Sequence, residues 1–581
     1  MSFYMFEARF KHANRLYREA QMKRGKPIIL LLTIVLAAIA VVFGRNEISM
    51  RNFPFSVIVT SDGVQEEIHC LKLAGEYYVF LPGYAEGNAR ICTNRIYDVT
   101  IAGQQLRENM SCEDFPVNTK LDLVFRSAEN EGYETVTFVQ SANVATMYID
   151  VPSGNMDYIH EKKGNAEAAA VRLYTEDGRL NYTGSAESLK GRGNATWAEA
   201  EKKPYSLELL QEADLLSMGK ARNWILLSNV WDTSNIRNKI AYDTAAAAGA
   251  AFSPDTSWVD LYLNGEYAGL YLLSERNEVH PERVQIPEET GFLVSLEFPY
   301  RLVEQGYPHV KTEKGLALRI HHTSMGQQEL ETLWQSVENA ILAENGIDPV
   351  SGKHWQELID LDSWAHKYLL EELFANYDAG SISQYFYCDT SQSPAKIYAG
   401  PIWDFDNAMG RGGWTTSNPR SFLANRAHFF SEEDAPLFHS LYQKDEFYRR
   451  VVELFVSVYE PLFAELLDHQ LYAYAERVAQ AKCSDHIRWQ TGDPQDIEKI
   501  ETYLKDRLEF YHDLWVNQSE YCQVELTVDF STWGCYLVQK GEMLLELPEV
   551  GGSVWRYADT GEPFDIQKPI LEDLRIYQKT E

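Results

Sequence analysis

Size, composition and charge set the first limits on the function of this chain. It has 581 residues, of which 45% are hydrophobic and 24% charged, so it is long enough for several domains with substantial cores. The formal net charge of −32 argues against nucleic-acid binding, which needs clustered Lys and Arg against phosphates. A carbohydrate-binding protein stays an alternative that rests on aromatic content alone.

The seven cysteines are scattered and form no C-x-x-C pair, so the sequence does not indicate a zinc site. A disulfide within the first three cysteines stays open, as does one between the last two, because spacing decides neither. Cys388 and Cys483 are expected to be buried free thiols.

Residues 1–50 predict a basic cytoplasmic segment followed by a transmembrane anchor. Seven basic side chains precede the uncharged run from Pro27 to Gly44. As a helix this run would be about 27 Å long, close to the bilayer core of roughly 30 Å. Since basic residues stay on the cytoplasmic side, we expect a single pass with the bulk of the chain outside the cell membrane. A cleaved signal peptide, with Ala38-Ile39-Ala40 as a cleavage-like triplet, is the alternative; a buried core helix is disfavoured because no charge interrupts the run.

Residues 51–145 predict an antiparallel β-sandwich. Short runs of alternating apolar and polar residues, such as Phe55 to Thr60 and Thr135 to Val139, are separated by turn signals. Because no candidate catalytic groups cluster there, we interpret this domain as a spacer or interaction module.

Residues 146–520 predict an α+β domain with two lobes. Strand-like stretches run from Met147 to Leu273, and helical periodicity covers 234–249, 324–344, 362–377 and nearly all of 436–515. The strongest local signal is the Asn264-Gly265 pair, which predicts a β-hairpin turn.

The residues that carry chemistry lie between Asp362 and Gly410. A predicted helix ends near Asn376, the next loop contains Asp378, and a hairpin leads to Asp404 and Asp406. The same order of parts surrounds a protein-kinase active site, where one Asp orients or deprotonates the acceptor hydroxyl and a later Asp binds Mg²⁺. Phosphoryl transfer needs hard oxygen ligands for the metal and a separate carboxylate for the acceptor.

This stretch departs from the protein-kinase pattern in two places. No His-Arg-Asp triplet contains Asp378, and Ser383 stands where kinases place a metal-binding Asn, with Gln384 beside it. Either side chain is a candidate oxygen ligand. The structural alternative is that Asp378 is an ordinary loop residue and that Asp404 and Asp406 belong to a turn or a calcium site.

Candidate nucleotide contacts lie upstream. Arg192 begins a small-residue turn, and Lys202 and Lys203 begin the strand that follows; a solvated strand edge is the commoner place for such lysines. Arg237 lies on the next helix, where its side chain would contact phosphate or face solvent. Glu275 ends the predicted hairpin, at the position of a kinase hinge.

Ordered motifs from Met147 to Trp515 resemble the CotH (spore coat protein H) kinase family. The motifs are Arg192–Trp197, Lys203–Tyr205, Leu216–Leu227, Ile236–Lys239, Val259–Glu275, Asn376–Asp378 and Gly400–Asp406. The resemblance implies an atypical kinase fold, ATP with Mg²⁺ or Mn²⁺, and phosphorylation of Ser or Thr on partner proteins.

Carried over by position, the resemblance assigns Asp378 to catalysis. It implies Asp404 as a metal ligand, with Asp406 and Gln384 as further candidates. It places four residues less securely on the nucleotide side: Arg192, Lys203, Arg237 and Glu275.

Residues 521–581 predict a small β domain that resembles the internalin B-type repeat of bacterial surface proteins, through Trp555 to Asp565 and Pro569 to Tyr577.

ATP is scarce outside a cell, so a second hypothesis is a surface or envelope scaffold that keeps the kinase-like fold without turnover. The expected partners are a protein substrate or envelope protein, and the membrane through the N-terminal helix.

Overall fold

The computed structural model describes residues 54–94, 96–127, 131–411, 417–425, 437–493, 495–529, 531–548 and 554–579. The predicted membrane anchor and the cleavage-like triplet lie outside these residues. Among the described helices, none combines the length and apolar character needed to cross a bilayer.

Nine strands form two N-terminal sheets. They are β1 (Phe55–Ser61), β2 (Val64–His69), β3 (Leu71–Leu73), β4 (Glu76–Leu81), β5 (Ala89–Thr93), β6 (Asp98–Ile101), β7 (Gln104–Gln105), β8 (Lys120–Arg126) and β9 (Glu131–Gln140). The sheet orders are β2-β1-β5 and β3-β4-β9-β8-β6-β7. Phe55 of one sheet packs on Phe138 of the other, with ring centres 6.2 Å apart.

The prediction of a purely antiparallel arrangement was wrong at one pair. Strands β4 and β9 run parallel, with Tyr77 opposite Val136. Between them the chain adds β5 to the other sheet and then forms β6, β7 and β8. Because β9 is antiparallel to β8 and returns to β4 only after four intervening strands, its direction relative to β4 is not forced to reverse.

Seven strands close into a barrel in the order β10-β11-β12-β13-β14-β16-β15. They are β10 (Ala145–Asp150), β11 (Ala166–Tyr174), β12 (Leu180–Gly191), β13 (Tyr205–Asp214), β14 (Lys220–Leu227), β15 (Thr256–Leu263) and β16 (Glu266–Glu275). The predicted hairpin turn is confirmed: Asn264 and Gly265 have φ angles of 52° and 81°, as a two-residue turn with left-handed residues requires. Helices α1 (Asp157–Glu161), α2 (Ala195–Glu199) and α3 (Arg237–Ala247) connect barrel strands.

The described chain forms two compact units. The first comprises the residues up to Arg192 with Tyr205–Gln211 and Val259–Leu270, and the second comprises the rest.

The second unit contains a five-stranded sheet in the order β18-β19-β17-β20-β21. Its strands are β17 (Gly291–Leu296), β18 (His309–Lys311), β19 (Ala317–Thr323), β20 (Tyr385–Asp389) and β21 (Tyr398–Ala399). Its helices are α4 (Pro299–Glu304), α5 (Gln327–Leu342), α6 (Trp355–Leu358) and α7 (Leu361–Leu373). Trp334 of α5 and Trp364 of α7 pack against Phe386 of β20, at 5.2 and 4.9 Å. This core fixes the strand that follows the Asp378 loop.

A helical region follows, as the apolar periodicity predicts. It comprises α8 (Leu437–Tyr442), α9 (Asp445–Leu454), a π-helical turn (Phe455–Tyr459), α10 (Glu460–Glu465), a second π-helical turn (Leu466–Gln470), α11 (Leu471–Trp489) and α12 (Asp496–Trp515). A final sheet, ordered β23-β22-β25-β24, contains β22 (Tyr521–Val528), β23 (Ser531–Gln539), β24 (Arg556–Tyr557) and β25 (Leu574–Gln578). The chain is thus a mixed α+β protein.

All seven cysteines are free thiols, so neither open disulfide forms. The predicted burial of Cys388 is confirmed, whereas the prediction for Cys483 was wrong because its side chain is exposed on α11.

Candidate functional site

The loop that carries Asp378 is fixed by the C-terminal end of α7. Asn376 Nδ2 donates to Glu371 Oε2 at 2.8 Å, and Asn376 Oδ1 accepts from the Asp378 N–H at 3.2 Å. Ala375 has a φ of 50°, which ends the helix and turns the chain. Glu371 is fully buried and lies 3.4 Å from Lys367 Nζ, which is also buried. Asn376 therefore links an internal ion pair to the backbone of Asp378.

Three residues of α3 hold the loop that carries Asp404. Arg237 Nε donates to the Ala408 carbonyl at 3.0 Å, and Asn238 Oδ1 accepts from the Phe405 N–H at 2.8 Å. The Asp404 N–H donates to Tyr242 Oη at 3.3 Å. Asp404 has a φ of 71°, a left-handed conformation that is uncommon for residues other than Gly and that these contacts hold in place.

The two aspartate loops meet. Ser383 Oγ donates to Asp404 Oδ2 at 3.0 Å. Burial raises the pKa of Asp378 well above its ordinary value, and the negative charges of Asp404 and Asp406 raise it further. A cationic side chain, Arg301 of α4, acts in the opposite direction. The structure thus brings together three of the carboxylates that the sequence singled out.

The donor atoms at this site fit a hard divalent cation. Carboxylate and hydroxyl oxygens are what Mg²⁺ accepts, and it usually keeps water and substrate phosphates as its remaining ligands. In the described part of the chain, no three His, Cys, Asp or Glu side chains form a ready-made metal cluster. Asp404 and Asp406 are the residues that would hold a cation here, together with water and phosphate oxygens.

Of the two residues in the position of the kinase Asn, Ser383 is the one that reaches Asp404. Its φ of 57° is left-handed, a region where Asn is favoured over other side chains. Gln384 is fully buried, and its Nε2 donates to the Ile382 carbonyl at 3.2 Å. Its Oε1, the atom that would bind a metal, accepts no hydrogen bond within the described part of the chain, so Gln384 stays a predicted ligand, while Ser383 is the one that contacts Asp404.

Arg237 does not face solvent. Its guanidinium is buried and pairs with Asp232 Oδ1 at 2.6 Å, in addition to its bond to Ala408. Because these partners hold the guanidinium inside the fold, the contacts do not support the predicted cofactor role for Arg237.

Neither predicted lysine lies on a freely solvated edge. Lys202 is 1% exposed and pairs with Asp485 Oδ1 at 2.7 Å. Lys203 is half-buried; its Nζ donates to the Trp197 carbonyl at 2.7 Å and lies 5.3 Å from the centre of the Trp197 ring. Lys203 therefore stays a candidate nucleotide contact only if its Nζ exchanges the Trp197 carbonyl for the ligand.

The remaining two predicted nucleotide contacts differ in their surroundings. Glu275 is buried, pairs with Arg283 at 2.5 Å and accepts from the Asp255 N–H at 3.0 Å, so its side chain stabilises the segment after β16. Arg192 is half-buried and belongs to the first compact unit. Its role stays a prediction.

Sequence reasoning missed the residues that position the aspartates. Asn238 lies in a quoted motif, yet its contact with the Asp404 loop could not be read from the motif. The same holds for Asn376, which lies in the Asn376–Asp378 motif. Glu371 and Lys367 had one available signal: two charged residues four apart on an otherwise apolar helix face, directly before the Asp378 loop.

A helix-end aspartate that meets a second aspartate beyond a β-hairpin is the arrangement of kinase-like proteins. Comparison with protein families agrees: the model of the CotH kinase protein family matches residues 189–511, more than half of the chain. The chain therefore belongs to the CotH kinase family. Membership indicates an atypical kinase and implies the use of ATP. A search among curated proteins finds no match.

Proposed function

We propose that the chain is an atypical protein kinase that transfers phosphate from ATP to Ser or Thr of an exported or envelope protein. The observation that supports it most is the meeting of the Asp378 and Asp404 loops, with Ser383 bonded to Asp404 at 3.0 Å. The charge of Asp404 is felt at Asp378, as two carboxylates that share a site require.

In this proposal the two carboxylates have different roles. Asp378 is half-buried at the loop, orients the acceptor hydroxyl and takes its proton as the phosphate moves. Asp404 holds a divalent cation, with Asp406 as a second ligand and Ser383 orienting Asp404. When bound, the cation with ATP supplies the transferable phosphate and neutralises its charge.

The internal network keeps Asp378 in place. Asn376 fixes its backbone N–H and Glu371 fixes Asn376, so the loop is held before any substrate arrives. Preorganisation of this kind lowers the barrier because no reorganisation is needed during reaction.

The test is phosphate transfer by the full-length purified protein with labelled ATP and Mg²⁺ or Mn²⁺. We expect incorporation into protein, and we expect Asp404→Ala to abolish it. Asp506→Ala removes an exposed carboxylate of α12 and serves as the matched control. If calorimetry detects no nucleotide binding even with ATP in large excess, the scaffold hypothesis replaces this one.

We further propose that the chain is anchored in the cell membrane through residues 27–44, with its acidic bulk outside and residues 521–581 acting as an internalin-type surface module. The charge asymmetry of the sequence supports this orientation. Protease treatment of intact cells tests it: loss of the large acidic part is expected, and its survival would refute export.

A further inference from the structure

The site leaves open which positively charged side chains bind an anionic ligand. Arg237 and Lys202 already form ion pairs with buried carboxylates. The chain carries 85 acidic against 53 basic residues, so most arginines have a carboxylate close by. Two arginines beside the five-stranded sheet, Arg276 and Arg319, are exceptions. In the part of the chain that the structure describes, neither Arg276 nor Arg319 has a carboxylate within ion-pair distance.

Arg319 lies on β19, and its neighbours across the sheet connect it to the loop that carries Ser383. Ser295 of β17 pairs with Arg319 on one side and with Tyr385 of β20 on the other. Tyr385 stands two residues after Ser383, so their Cα atoms are at most about 7 Å apart. The arginine is therefore in the same part of the molecule as Asp404, to which Ser383 is bonded.

The guanidinium of Arg319 is held but not neutralised. It lies 3.6 Å from the centre of the Tyr307 ring, a cation–π contact that orients the group and leaves its charge uncompensated. Planar guanidinium groups oriented in this way suit two-point recognition of phosphate.

Arg276 joins Arg319 from the segment that follows β16. It is exposed, and Glu278, a carboxylate on which its charge acts, accepts a hydrogen bond of 2.8 Å from Asn223 Nδ2. Both arginines act on His321: burial lowers the pKa of His321 well below its ordinary value, and the charges of Arg319 and then Arg276 lower it further. Next to Arg276, Asn277 Nδ2 donates to the Ile402 carbonyl at 3.5 Å, two residues before Asp404, so the segment that carries Arg276 lies beside the Asp404 loop.

His321 closes the cluster on the side of the sheet. Its Nε2 lies 2.9 Å from Ser295 Oγ, and its ring stacks on Tyr385 at 4.9 Å. His321, Tyr385 and the buried Ser295 thus form a polar cluster beside Arg319.

We propose that Arg276 and Arg319 form the anion subsite that binds the polyphosphate of the nucleotide, with Ser295 and His321 as neutral hydrogen-bonding groups beside it. This inference rests on the proposed kinase function for the identity of the nucleotide. The subsite itself is defined by phosphate chemistry and is testable without phosphate transfer.

The experiment is calorimetric titration of the full-length protein with inorganic tripolyphosphate, ATP and adenosine. Arg276→Gln and Arg319→Gln are each expected to weaken tripolyphosphate and ATP by about tenfold or more, because each removes a charge-assisted hydrogen bond. Adenosine binding is expected to be the same in the variants as in the wild type. Arg319→Lys, which keeps the charge, is expected to recover part of the affinity.

Lys311→Gln is the control, since it removes an exposed positive charge from the same β18–β19 hairpin. An equal loss in this variant would show diffuse attraction and overturn the subsite, as would unchanged tripolyphosphate affinity in both arginine variants. An equal loss of adenosine binding would also overturn it. Arg276 is exposed, so its replacement leaves the fold intact and keeps the test decisive.

Failure of the kinase function would look different. In that case the wild-type protein binds tripolyphosphate and both arginine variants lose it, yet no phosphate reaches any protein acceptor. The anion subsite would then stand while the transferase proposal falls.

Discussion

Ser383 Oγ donates a hydrogen bond of 3.0 Å to Asp404 Oδ2, and this bond joins two loops separated by a β-hairpin. The first loop follows α7 and carries Asp378. The second follows β21 and is held by α3. Ser383, in a left-handed conformation, thus contacts the aspartate from the position where protein kinases have Asn.

Replacing Ser383 tests this relationship. Ser383→Ala removes the donor to Asp404, so cation-dependent ATP affinity is expected to fall by about tenfold. Ser383→Asn suits the left-handed backbone and supplies an amide, and is expected to retain most of the affinity. Calorimetry with ATP and Mn²⁺ measures both; wild-type affinity in Ser383→Ala would show that the hydroxyl does not contribute.

Asn376 is expected to be a positioning residue for Asp378. Asn376→Ala frees the Asp378 N–H and leaves buried Glu371 short of a donor, so we expect the free energy of unfolding to fall by about 1–3 kcal/mol and kcat to fall more than KM changes. Urea unfolding and steady-state kinetics measure the two effects.

The matched control for Asn376 is Asn345→Ala. Asn345 Oδ1 accepts a comparable bond from the Ile347 N–H at 3.1 Å, in an exposed turn. This variant is expected to change neither quantity appreciably. A loss of stability with unchanged kcat in Asn376→Ala would show that Asn376 has a structural role and does not position Asp378 for catalysis.

Replacement of one member of the buried Lys202–Asp485 ion pair is expected to destabilise the fold strongly. Lys202→Ala leaves a buried carboxylate without its partner and should lower the free energy of unfolding by about 3–5 kcal/mol. Lys505→Ala breaks a pair whose lysine is 56% exposed, and should lower it by less than about 1 kcal/mol. Similar losses in chemical denaturation of the two variants would contradict this difference in burial.

Glu275 makes stability depend on pH. Burial raises the pKa of Glu275 to about 7, from an ordinary value of 4.5, although the charge of Arg283 acts against the shift. The folded protein thus holds a proton that the unfolded chain releases. The contribution of this carboxyl to the free energy of unfolding is therefore greatest below pH 4.5 and is lost as the pH rises to about 7.

Glu275→Gln removes this titration. The urea midpoint of the wild type, relative to the variant, is expected to fall between pH 4.5 and 7 and to stay constant above. Parallel midpoint curves for the two proteins across this range would show that Glu275 keeps an ordinary pKa.

Local patterns predicted most of the elements because their signals are local. The Asn264-Gly265 turn and helix α7, which ends at Leu373, within three residues of the predicted end near Asn376, both follow from local sequence signals. The parallel pairing of β4 and β9 could not be predicted in this way, since it depends on a crossover through another sheet.

The candidate site was predicted in part for the same reason. The order of Asp378, Ser383 and Asp404 along the chain carried enough information to expect them together. Side chains that turn inward, such as Arg237 and Lys202, look identical in sequence to those that face a ligand. Only their buried partners, Asp232 and Asp485, show the difference, and these partners are fixed by tertiary packing.

The central claim is tested most directly by anomalous diffraction from crystals of the protein soaked with Mn²⁺ and ADP. A manganese peak within about 2.2 Å of an Asp404 oxygen, with Asp378 facing the same site, is the expected result. A nucleotide or manganese bound elsewhere, with Asp404 and Asp378 directed to different surfaces, would contradict the account.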